Sequence, residues 1–277
     1  MRRLKTGYKG QYWLIAIGFG LLMNCTVRPK LPVEKYQQAV FPPFSTSKKG
    51  DTTVVKVNNI LLCPVRVSFA DDDLHYASDS LTVPAKTDTV LHFLLPHKPL
   101  NLNVSFGDIA KTIHPNVMSL PFPKGKSYQV TQGYNGSFSH NEINSRFAID
   151  FNLQVNDTIC SADDGYVVGV VKDYKYGGNT REWRPFGNFI TLYHPHSGLF
   201  TQYSHLIHQG AFVTVGDTVR RGQPIGKSGV TGFTDGPHLH FNVLKPLAGG
   251  QLESVPAEFE NGLKGGNLAK GDIVNHD

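Results

Sequence analysis

The 277 residues, 40% apolar and 18% charged with 28 Gly and 17 Pro, suffice for one or two globular, turn-rich domains with a hydrophobic core. The formal charge of +5 is misleading: Arg2, Arg3, Lys5 and Lys9 stand within the first 24 residues, which hold no acid, and without those four charges the chain is at +1. Such a body lacks the concentrated basic patch that neutralises phosphates, so nucleic acid is excluded as the expected partner.

The basic start precedes the apolar run Trp13–Met23, the form of a secretory signal peptide over residues 1–24. A membrane-spanning helix needs about 20 apolar residues, more than this run supplies. The run ends at Leu22-Met23-Asn24-Cys25, which resembles a bacterial lipoprotein cleavage site; Leu22 sits three before the cysteine, although Met23 and Asn24 are larger than usual there. The expectation is an exported protein of the bacterial cell envelope, held to a membrane by lipid on Cys25. An uncleaved anchor and an ordinary signal peptide are the alternatives. Residues 25–50 carry Pro29, Pro32, Pro42 and Pro43 without helical or strand period, and read as a tether. Export permits a disulfide between Cys63 and Cys160, but two buried free thiols explain them equally well.

Residues 51–120 have strand texture. Val65, Val67 and Phe69 alternate with Arg66 and Ser68, and Leu102, Val104 and Phe106 with Asn103 and Ser105, which predicts a small β-rich, sandwich-like domain. Asp71-Asp72-Asp73 reads as a solvated turn, with a calcium site as the weaker alternative. His75, His92, His97 and His114 have no partner at ligand spacing.

Past Lys124 the chain becomes a series of short β segments. Tyr128-Gln129-Val130 leads to the Gly-rich stretch Gly133–His140, and Phe147–Phe151, Tyr166–Val171, Gly187–His194 and Phe200–His205 are further strands. Long helical periods are absent, so residues 125–246 are expected to form a second all-β domain, followed by a Gly-rich tail over 247–277. His194, His196 and His208 read as solvated loop residues.

The chemistry converges on Gly236-Pro237-His238-Leu239-His240-Phe241. Residues two apart on a strand share a face, so His238 and His240 point together while Leu239 and Phe241 enter a core. Paired imidazoles suit a metal ligand beside a general base, since a metal binds neutral imidazole nitrogen. A His-x-His pair alone is commonly incidental and needs further ligands elsewhere in the chain.

The order of Ala148-Ile149-Asp150-Phe151, Asp164-Gly165, Gly187-Asn188, Tyr203-Ser204-His205-Leu206, Val215–Val219, Gly222–Gly226, Ser228–Gly232 and Gly236–Phe241 resembles the lysostaphin-type, LytM-like zinc endopeptidases of bacterial cell walls, over roughly residues 125–246. The resemblance implies a β-sheet peptidase domain, Zn²⁺ as cofactor, and peptidoglycan peptides as substrate. It makes Asp150 and His240 metal ligands and His205 and His238 acid–base residues. The family's other ligand is a His four residues before the Asp, where this chain has Arg146. A guanidinium has no lone pair to offer a metal. Some members instead place Ser-His before a longer loop, and Ser139-His140 fits them, making His140 the third ligand. Against this stands a degenerate site: a protein that binds wall peptides or activates a wall hydrolase. A carrier fold of biotinyl or lipoyl type, suggested by Val215–Val219 and Gly222–Gly226, is weaker, because Lys227 lacks the surroundings of a modified lysine.

Overall fold

The computed structural model describes residues 30–36, 44–69, 80–94, 102–114 and 116–277. The expected signal peptide, Cys25 and the Asp71–Asp73 turn lie outside these residues. Almost all regular structure among them is strand, as the composition and short alternating runs predict, and no described helix is long and apolar enough to cross a membrane.

The amino-terminal part holds two three-stranded antiparallel sheets. One runs Phe44–Lys49, Thr52–Asn59, Thr87–Leu94; the other runs Ser80–Val83, Val65–Phe69, Leu102–Phe106. Val55 and Val57 of the first and Val65, Val67, Val83 and Phe106 of the second close a shared core. The Phe44–Lys49 strand lies in the stretch read as tether. All six of its side chains are exposed, so no apolar period marks it, and a backbone ladder to Thr52–Asn59 holds it. Cys63 and Cys160 are buried free thiols in separate places, and no disulfide joins them.

The second part is organised around one antiparallel sheet. Its order is Thr218–Val219, Gly165–Val171, Phe189–His194, Leu199–Ser204, Leu239–Pro246, Ile149–Phe151, Lys126–Gln132, Ile273–His276, with Leu252–Val255 also paired to Leu239–Pro246. The sheet therefore runs past Pro246, where the sequence reading ends the domain: residues 252–255 and 273–276 of the Gly-rich tail are two of its strands. They escape sequence reading because each has only four residues between turns.

Alternation along Leu239–Pro246 assigns each face. Leu239, Phe241 and Val243 enter the main core with Val130, Ile149 and Phe151, while His240, Asn242 and Leu244 point the other way. Leu244, with Phe200 and Tyr193, packs into the amino-terminal core, where Phe106 and Phe200 stack with centroids 6.2 Å apart. The buried Arg66 guanidinium reinforces this contact by donating to the carbonyls of Leu247 (2.6 Å), Phe106 (3.1 Å) and Gln251 (3.4 Å). His240 thus shares a sheet face with the docked amino-terminal domain, about 14 Å along the strand from Leu244 at roughly 3.4 Å per residue.

Candidate metal centre

Strand register sets out the site. Gln132 pairs with Asp150, Asp150 with His240, His240 with Ser204 and Ser204 with Phe189, giving one cross-strand row at the sheet end away from the amino-terminal domain. Residues opposite one another in an antiparallel pair bring their side chains together, so Asp150 and His240 meet directly. His140 reaches them from the loop after Lys126–Gln132 and is fully buried. His140 Nε2 and His240 Nδ1 lie 3.1 and 2.9 Å from Asp150 Oδ1 and 3.1 Å from each other.

These donors fit a metal ion. Three atoms bound at about 2.0–2.2 Å around a tetrahedral ion stand roughly 3.3–3.5 Å apart, near the separations found here. Two imidazoles and one carboxylate leave the fourth position for water or substrate, the pattern of catalytic rather than structural sites. The His140 ring is oriented from behind. Its Nδ1 is 2.8 Å from the Gly133 carbonyl, an acceptor only, so Nδ1 carries the proton and the Nε2 lone pair faces the site. Arg146 points elsewhere: it pairs with Glu253 and lies over the Phe147 ring at 5.0 Å.

The remaining two predicted residues are also brought in. His205 and His238 have ring centroids 4.6 Å apart, and His238 Nε2 is 3.8 Å from Asp150 Oδ2. Each shows the same tautomer logic. His205 Nδ1 donates to the Thr231 carbonyl at 2.7 Å and His238 Nδ1 to the Gly236 carbonyl at 3.0 Å, so both leave Nε2 to the site.

His205 is the corner where the chain leaves the large sheet for the small sheet of Thr158–Cys160, Pro224–Ser228 and Leu206–Ala211. It turns there in the left-handed region, at φ 66°, which His tolerates better than most side chains. Asn188 and Thr231 hold the corner. The buried Asn188 amide donates to Ile207 O at 3.1 Å and Leu206 O at 3.4 Å, and the Thr231 hydroxyl donates to Leu206 O at 2.7 Å. Asn188 also spans both backbone groups of Tyr174 (3.0 and 2.8 Å), a structural role with no place for catalysis. Beside it Gly232, at φ 81°, would place a Cβ only 2.7 Å from Gly187 Cα, so the two segments flanking His205 touch backbone to backbone.

The electrostatics follow from burial. It opposes ionisation of Asp150, but the charge of His238 and the hydrogen bonds of His140 and His240 outweigh it and hold the carboxyl well below the usual range. Burial, with the charges of His238 and His240, presses His205 down to about 3 and keeps it neutral. Burial also lowers His240. For His140 burial pulls downward, yet Asp150 overrides it and raises the imidazole.

A cleft of about 240 Å³ opens onto His205 and His240, with Arg184, Phe233 and Glu142 on its walls. Phe138 stacks on Phe233 (4.6 Å), Arg184 lies over the same ring at 5.5 Å, and Arg184 pairs with Glu142. Sequence reasoning missed these wall residues because they come from separate loops with no shared spacing. It also missed Gln132, Thr231 and Gly236 as supports of the histidines; only the position of Gln132 just before the Gly-rich stretch hints at its role. His196 and His208 are exposed as expected, but His194 is a correction: it is fully buried, bonded through Nδ1 to Asp164 O and through Nε2 to Thr201 Oγ1, both at 2.8 Å. It ends a central strand facing inward, where the Asp164 turn covers it.

Residues 144–253 match the model of Peptidase family M23, a span holding Asp150, His205, His238 and His240. These residues form an M23 peptidase domain. His140 lies before the matched M23 span. An uncharacterized metalloprotease of Buchnera aphidicola is 29% identical over 163 residues, 56% of this chain and 40% of its own length. The peptidoglycan DD-endopeptidase ShyB of Vibrio cholerae is 34% identical over 127 residues, 44% of this chain and 27% of that one. The chain spans less than half the length of these curated relatives. Among solved structures, the catalytic domain of the antimicrobial peptidase lysostaphin from Staphylococcus simulans aligns with 47% of this chain and 87% of its own, at 25% identity and a TM-score of 0.33.

Proposed function

We propose that this protein is a zinc-dependent endopeptidase that hydrolyses peptide bonds in the stem peptides or cross-links of peptidoglycan. The observation that carries the reading is the meeting of His140 Nε2, Asp150 Oδ1 and His240 Nδ1 beside two further imidazoles, His205 and His238, each anchored through Nδ1 to a backbone carbonyl. Zinc bound by these three residues would supply Lewis acidity towards the scissile carbonyl and lower the pKa of a water towards about 7. His205 and His238 then handle protons. The Nε2 lone pair of one takes the proton of the attacking water and returns it to the leaving amine, while the other, in its Nε2-protonated form, donates to the carbonyl oxygen on which charge develops. The cleft walls of Arg184, Glu142 and Phe233 offer both charges and an apolar ring to a peptide bearing carboxylates and amines.

Purified protein is expected to bind one zinc per chain and to release new amino termini from defined cross-linked peptidoglycan fragments. Chelation should stop hydrolysis and stoichiometric zinc restore it. A zinc-loaded protein that binds the fragments without cutting them would favour the binding or activator reading. Hydrolysis that survives complete metal removal would refute the metallopeptidase.

Location in the cell envelope, with lipid on Cys25, belongs to the same reading. Acyl burial contributes about 0.8 kcal/mol per CH₂ and is indifferent to salt, and a mature charge near +1 gives little electrostatic attraction to compete. Membrane fractions should therefore keep the wild-type protein through a high-salt wash, and Cys25→Ser should leave the membrane or remain an uncleaved precursor. Salt release of the wild type, or a variant processed and bound like wild type, would refute lipidation.

A further inference from the structure

The usual ligand position four residues before Asp150 is occupied by Arg146, and His140 must reach the centre from ten residues away. Gln132 is the side chain about which that longer route is built. It closes the Lys126–Gln132 strand directly opposite Asp150. Its Nε2 donates to Asp150 Oδ2 at 3.0 Å and to Ser139 Oγ at 2.8 Å, and its Oε1 accepts from the Phe138 amide at 3.2 Å. One amide thus grips both the carboxylate and the loop residues just before His140.

The loop, in turn, is moulded to this side chain. A Cβ on Gly136 would stand 2.3 Å from Gln132 Cγ and 2.6 Å from Cδ, so glycine there lets the loop pass over the amide. The same loop closes on itself through His140 N to Gly136 O at 2.9 Å, and the His140 ring bonds back to Gly133.

We infer that Gln132 is a positioning residue of the metal centre, which holds Asp150 to one-oxygen ligation and sets the His140 loop in register with it. The two oxygens of Asp150 are unlike. Oδ1 faces His140 and His240, and Oδ2 is occupied by the Gln132 amide. With Oδ2 held, the carboxylate does not swing to offer both oxygens, and a coordination position stays open for water. Ligand-orienting partners of this kind typically change metal affinity by about 10–100-fold when removed.

This inference rests on the zinc reading, and the experiment separates the two. Zinc affinity of the full chain is measured by competition with a chromogenic chelator, and the cobalt(II)-substituted protein is followed by visible absorption. Gln132→Met keeps the bulk of the side chain and removes its amide. Gly136→Ala leaves Gln132 in the sequence but displaces it. Both should weaken zinc binding by about 10–100-fold. Both should also weaken the cobalt bands as Asp150 turns its second oxygen to the metal and coordination number rises, with little change in the melting temperature of the metal-free protein. If Gln132→Met does not fold, Gly136→Ala carries the measurement. Unchanged affinity and an unchanged cobalt spectrum in the folded variants would overturn the positioning role. A wild type that binds no zinc would instead overturn the underlying metal reading.

Discussion

His140→Ala is expected to strip the protein of zinc, and Arg146→Ala to leave the metal in place. His140 Nε2 supplies one of three donors to a site with no fourth protein ligand nearby among the described residues. Its loss should exceed the 10–100-fold effect of an outer hydrogen-bond partner. The Arg146 guanidinium turns away to Glu253, and its side chain is 40% exposed. Exposed pairs of that kind contribute about 0–1 kcal/mol, so Arg146→Ala should shift the melting temperature only slightly. Zinc content after gel filtration, with chelator competition, reads both variants. Retention of zinc by His140→Ala would remove His140 from the ligand set. The same assay carries a pH signature. Both imidazole ligands must be neutral to bind, and Asp150 strengthens the hold of His140 on its proton. Zinc affinity should therefore fall as pH is lowered, starting above the ordinary histidine range, and an affinity flat from pH 8 to 5 would contradict the assignment.

The second large effect is on rate rather than metal. His205→Ala and His238→Ala should each retain one zinc and lose hydrolysis by about 100- to 10,000-fold, the usual contribution of a general acid or base. The reason lies in their anchoring: Thr231 O and Gly236 O hold the Nδ1 protons, so both rings present Nε2 to the cleft from outside the His140–Asp150–His240 triangle. His205 is kept neutral by burial in the metal-free protein, so its ring carries no charge across the neutral range. Fragment hydrolysis at saturating substrate, alongside metal analysis, separates the roles. Zinc loss in either variant would move that residue into the ligand set, and full activity would remove it from the mechanism.

Two kinds of information made the site. The local pattern of the chain carried the strand character of Gly236–Phe241, because period-two alternation places His240 opposite in direction to Leu239 and Phe241 without reference to the rest of the molecule. It also carried the β character of both halves and, through the ordered motifs, the identities of Asp150, His205, His238 and His240. Whether His140 could replace the histidine absent at position 146 was beyond local pattern, since the nine residues between it and Asp150 permit many loop paths. The fold brings His140 beside Asp150: cross-strand pairing of Gln132 with Asp150 puts an amide where it can hold the loop, and Gly136 lets the loop close over it. Tertiary structure likewise decided that His194 is a buried hydrogen-bonding residue and that residues 252–255 and 273–276 complete the sheet, because burial and strand partnership depend on what packs from elsewhere in the chain. The seating of the amino-terminal domain on the same sheet face as His240 is of this kind too. Val243 and Leu244, like Leu199 and Phe200, are adjacent apolar residues whose alternation does not tell the two faces apart, and only the assembled sheet pairs Leu244 with Phe200 to receive Phe106.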